Sequence, residues 1–132
     1  LDYENFDWNS SQAARRSIYR VVWRGIPDPF MEALDFPDLG LLTPKRTSSV
    51  SSLQSLALFN NNFVLHSSQW LSDRAKKEHP NLDSQIHRLV ELLWLRPPTS
   101  KEQSLFKTYA QQHGLSALCR ILINSNEFLF IE

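Results

Sequence analysis

The chain has 132 residues, 42% hydrophobic and 21% charged, which suffices for one domain with a real core and excludes disorder of the whole chain. Fourteen basic residues balance fourteen acidic ones. No long basic run supplies a phosphate-neutralising stripe, so nucleic acid is not an expected partner.

A single cysteine, Cys119, excludes an intrachain disulfide. It sits in an apolar run and reads as a buried structural thiol rather than a nucleophile. The longest apolar run, LCRILIN, is broken by Arg120 and is far too short to span a bilayer, so no membrane insertion is expected. The chain starts at Leu1 with no charged leader after it. That pattern suggests a processed protein or a piece of a longer one.

Residues 1–14, LDYENFDWNSSQAA, mix acids and aromatics without a period and read as an irregular arm. In RRSIYRVVWRG, Ile18, Arg20, Val22 and Arg24 alternate with Tyr19, Val21 and Trp23. Period two with β-branched and aromatic residues suggests one short strand, with a helical turn or an extended segment as the alternatives. Residues 26–50 hold Pro27, Pro29, Pro37 and Pro44, so only PFMEALD is expected to be helical. A loop of this length is functional or is fastened by its own side chains.

From Ser51 to Lys77 the apolar spacing becomes helical, with Leu53, Leu56, Ala57, Val64, Ser67, Ser68, Leu71 and Ala75 near one face. The asparagines at 60–62 predict a kink or a break there. A second helix is expected over 83–95, capped by Asp83, with Ile86, Leu89, Val90 and Leu93 as its stripe, widened by Leu92, Trp94 and Leu95. RPP ends it. A third helix starts where Thr99 and Glu102 stand three apart, a capping-box spacing, and Gly114 ends it. A fourth runs from Ser116 to about Asn126. In the closing LCRILINSNEFLFIE, the polar NSNE reads as a helix stop: Asn124 and Asn126 satisfy backbone groups, and Glu127 takes an arginine. The fold class is therefore mainly α: a bundle of about four helices over 51–132, after a 1–14 arm and a proline-rich 15–50 segment.

His66, His79, His87 and His113 show no metal-ligand spacing, and the three glycines build no phosphate loop. No catalytic, cofactor-binding or metal-binding residue is expected. Arginines precede acids along the first third. We read Arg15, Arg16, Arg20, Arg46, Asp35, Asp38 and Glu127 as a structural ion-pair network that fastens the loop. The rival reading draws catalytic carboxylates from Asp28, Glu32, Asp35, Asp38 and Glu127. Tyr19 and Trp23 are the candidate contact surface, with self-association there as a corollary.

RRSIYRVVWRG, FMEALDFPD, KRTSSVSSLQSLALFNNNFV, LWLRPPTSKE and LCRILINSNEFLFI resemble, in that order, the C-terminal part of planctomycete-specific domain one. This is a domain of unknown function in large planctomycete proteins, often beside a cytochrome c-like domain. The resemblance covers residues 15–132. It implies an exported, periplasmic or secreted, multidomain parent. The LRPPTSKE and LINSNEF half is similar, more loosely, to small helical repeats of bacterial surface and phycobilisome-linker proteins. These resemblances imply a non-catalytic interaction or scaffold module that contacts other domains of its polypeptide or a protein partner. The alternatives are an accessory part of a polysaccharide-processing enzyme, or a redox-accessory domain beside a cytochrome.

Overall fold

Asparagine decides the first helical boundary. Asn61 has an extended backbone, and its side-chain oxygen accepts the Phe63 N–H at 2.9 Å, so it caps a new helix rather than continuing the old one. The expected interruption is thus a full break between α2 (Ser52–Asn60) and α3 (Asn62–Glu78). The structure, a computed structural model, describes residues 6–8, 10–13, 15–19, 25–26, 28–37 and 51–130. Among the described residues it is helical, with no strand.

The break has a consequence for packing. Leu53 and Leu56, expected to share the buried face with Val64 and Ala75, are more than half exposed. The buried face of α3 is Val64, Ser68, Ser72 and Ala75. These small side chains allow a neighbouring helix to approach closely.

Helix α4 spans Leu82–Trp94 and buries Ile86, Leu89 and Val90, as its stripe predicts. Its cap is Asn81 and not Asp83; Asp83 lies in the first turn, where a negative charge suits the helix dipole. The helix ends because Leu95 turns left-handed, with φ 57°. That turn carries Leu95 off the apolar stripe and leaves it 89% exposed, contrary to the expectation that it widens the stripe.

Helix α5 (Ser100–His113) opens with the expected capping box. Thr99 Oγ1 accepts the Glu102 N–H at 3.3 Å, and the Glu102 carboxylate accepts the Thr99 N–H at 2.7 Å. Gly114, at φ 89°, ends it. The last apolar run is two helices, α6 (Leu115–Ile123) and the short α7 (Asn126–Leu129).

The chain divides into two units, residues 1–57 and 58–132. In the second, α6 is the centre, and α3, α4 and α5 all pack on it. Leu115, Leu118, Cys119 and Leu122 of α6 join Ala75, Ile86, Leu89, Val90, Phe106 and Ala110 in one core. In the first unit, Asp28 caps α1 (Pro29–Ala33), accepting the Phe30 N–H at 2.9 Å, with Pro29 at the first helical position. Ser17–Tyr19 forms a single 3-10 turn where a strand was expected to begin. The remainder of that expected strand, from Arg20 to Arg24, lies outside the described residues. Phe6 packs edge-on against Trp8 at 4.9 Å.

Two stability effects follow. Thr99→Ala removes one arm of the box and should cost about 1 kcal/mol in chemical denaturation. Leu95→Gly relieves a left-handed leucine whose side chain buries little, and should stabilise by about 1 kcal/mol. A loss on Leu95→Gly would mean that the exposed side chain packs after all.

Candidate functional site

The densest polar constellation forms where three helix ends meet. Arg96, just past α4, forks between two carboxylates. Its Nε and Nη2 donate to Glu127 at 2.6 and 2.9 Å, and its Nη1 and Nη2 donate to Glu102 at 2.9 and 2.8 Å. The guanidinium also lies 4.9 Å over the Trp94 ring. Trp94 Nε1 donates to Ser125 Oγ at 2.8 Å, and Ser125 Oγ donates to the Leu122 carbonyl at 2.6 Å. The indole meets Phe106 edge-on at 5.7 Å, which joins this polar cluster to the core.

Electrostatics make the cluster a holder of geometry. Arg96, then the Thr99 amide, push the Glu102 carboxyl down to about 2, and both carboxylates raise the already high arginine pKa. With Glu102 charged and fully engaged, it is a poor acid or base near neutral pH. Glu127 does take an arginine, but that arginine is Arg96, which the expected network of Arg15, Arg16, Arg20 and Arg46 did not include. Asn124 satisfies backbone groups as expected, its amide donating to the Leu58 and Arg120 carbonyls at 3.2 and 2.8 Å. The expectation for Asn126 is corrected: Ser125 makes the side-chain bonds, and Asn126 is exposed.

Other predicted residues lie apart from this cluster. Asp35 accepts from Gln54 Nε2 at 2.7 Å. Arg15, Arg16 and Tyr19 are exposed. Arg20, Asp38, Arg46 and Trp23 lie outside the described residues. Of the carboxylates in the enzymatic reading, Asp28 is a helix cap and Glu127 holds Arg96.

A shallow cleft of about 550 Å³ lies between the outer face of α4 and the start of α5, with His79, Asp83, His87, Arg88, Glu91 and Gln103 on its walls. Neither of its carboxylates was a sequence candidate. Its charges pair with their neighbours, Asp83 with Lys107 and Arg88 with Glu78, each at 2.7 Å, and the His87 ring lies 3.4 Å from the Glu91 carboxylate. Arg74 and Arg88 hold Glu78 down at about 2, and Lys107 lowers Asp83. Among the described residues no three His, Cys, Asp or Glu side chains converge as a metal cage. Cys119 is wholly buried, and burial pushes its thiol up to about 12, so it stays protonated at neutral pH.

Glu102 shares its pH effect with Glu78, which is lowered as far. Its carboxyl ordinarily titrates near 4.5 and here near 2, so the pairing stabilises the fold above about 4.5 and is lost as pH falls toward 2. Denaturation at stepped pH should show stability dropping across that window. Glu102→Gln should reduce the drop, leaving the share that Glu78 contributes; an unchanged slope would remove Glu102 from the cause.

No curated protein and no solved structure matches the chain. The sequence family described as PSD1, Protein of unknown function (DUF1553), matches residues 3–110. The match begins ahead of the RRSIYRVVWRG motif and includes Arg96, Thr99 and Glu102, while the NSNEF motif lies beyond it. Over most of its length, from the arm to the third turn of α5, the chain therefore belongs to this family of unknown function.

Proposed function

We propose that the chain is a non-catalytic interaction or scaffold module of a larger exported protein, contacting other domains of the same polypeptide or a protein partner. One observation carries this reading. Helix α2 is apolar, with Leu53, Leu56, Ala57, Leu58 and Phe59, yet it buries no residue. A helix of that composition ordinarily lies under another element. In the second unit, Trp70 separately carries a 44% exposed indole. Exposed apolar surface of this kind marks contact sites, and tryptophan is prominent among the residues that dominate them. The exported location rests on the family resemblance alone.

The engaged state of the polar groups agrees with a binding role. Arg96, Glu102 and Glu127 hold one another, and the cleft charges are paired. Leu53→Asp and Trp70→Asp alter exposed positions and should leave the circular dichroism and melting unchanged. Sedimentation of the chain at rising concentration, and its titration with the other domains of its polypeptide, should show an association that each variant weakens about tenfold or more. Association untouched by both variants would contradict the reading. So would turnover of a polysaccharide by the purified chain.

A further inference from the structure

We propose that residues 126–130 form a strap that opens and closes on its own, with Arg96 as its catch and Asn124–Ser125 as its hinge. The strap contains α7, which buries no residue. The strap packs on α4 and α6 with Leu129 half-buried, but Phe128 and Phe130 are 41% and 54% exposed, so its apolar burial is small beside that of the core helices. Its backbone bonds close on themselves: the Phe128 and Leu129 amides donate to the Ser125 carbonyl, and the Phe130 amide donates to the Asn126 carbonyl. Among the described residues, the side-chain tie from the strap to the body is Glu127, held by Arg96 through two bonds.

The residues on either side of the hinge are held differently. Asn124 is pinned to the Leu58 and Arg120 carbonyls, and Ser125 to Leu122 and the Trp94 indole. These contacts do not depend on Glu127. Arg96 is likewise secured without it, because Glu102 takes its other edge, and Glu102 is in turn fixed by Thr99. Releasing Glu127 and lifting α7 from α4 and α6 therefore leaves the contacts among α4, α5 and α6 intact. Such an element belongs to the low-stability end of a folded protein. Opening also frees Arg96 Nε, which donates to Glu127 in the closed state. The strap thus governs access to an arginine edge suited to a carboxylate.

Native-state hydrogen exchange on the full chain tests this. The Leu129 and Phe130 amides should be protected, yet exchange about a hundredfold or more faster than core amides such as Leu89 and Leu122. Glu127→Gln should speed strap exchange roughly fivefold, the upper range for an exposed ion pair, and leave core exchange unchanged. Arg96→Lys, which keeps the charge but loses the fork, should also speed strap exchange, as should 1 M salt through screening, and both also weaken the Glu102 arm, so Glu127→Gln is the variant that isolates the strap. Strap amides exchanging at the core rate, or wholly unprotected, would overturn the proposal. So would strap exchange indifferent to Glu127→Gln, or exchange that varies with protein concentration, which would place the strap between copies.

Discussion

The bundle rests on the close approach of α3 to α6. The face that α3 presents is Val64, Ser68, Ser72 and Ala75, nearly all fully buried. The α6 helix that packs on α3 has Leu118, Cys119 and Leu122 fully buried, in one cluster with Ala75. Short side chains on one helix make room for long ones on the other, and the long ones then reach α4 and α5. The two serines carry a polar cost. Ser68 meets it within its own helix, donating to the Val64 carbonyl at 2.8 Å. Ser72 Oγ has no hydrogen-bond partner among the described residues, so small size at that position outweighs an unsatisfied hydroxyl.

With the core closed in this way, the helix ends need their own closure. Arg96 supplies it by joining the end of α4, the start of α5 and the short α7. Each arm is partly exposed and adds at most about 1 kcal/mol, so the fork sets geometry more than stability. Its attachment to the core runs through Trp94, which touches Arg96, Phe106 and Ser125. On the far side, Arg120 donates to the Phe59 carbonyl at 2.6 Å and lies 4.0 Å over the Phe59 ring. The central helix thereby fixes the chain just ahead of α3.

Local chemistry was legible in the sequence wherever it acts over a few residues. The stripe of α4, the Thr99–Glu102 box, the Gly114 stop and the Asn break all depend on neighbours in the chain, and the structure contains each of them. What the sequence hid is nonlocal. Glu127 visibly needed an arginine, but nothing in spacing singles out Arg96, thirty-one positions earlier. The exposure of Leu53 and Leu56 was hidden for a different reason: periodicity reports that apolar residues share a face, not whether anything covers that face. Leu95 continued the α4 stripe on paper, and only its left-handed backbone takes it out. Asp83 was a reasonable cap by residue type, yet the chain enters the helix two residues earlier, at Asn81.

Function in this reading follows from economy of burial. In the second unit one small-faced helix lets four elements close a core, and that leaves Trp70 and the strap with apolar surface to spare. The close approach of α3 and α6 is therefore the claim on which the rest stands, and Ser72 tests it most directly. Equilibrium denaturation should find Ser72→Ala neutral or stabilised by up to about 1 kcal/mol, because an unpaired hydroxyl is removed without adding volume. Ser72→Leu should lose about 1–3 kcal/mol through overpacking. A leucine tolerated as well as the alanine would contradict the claim, for it would mean that the buried face of α3 has room against the helices packed on it, α6 foremost.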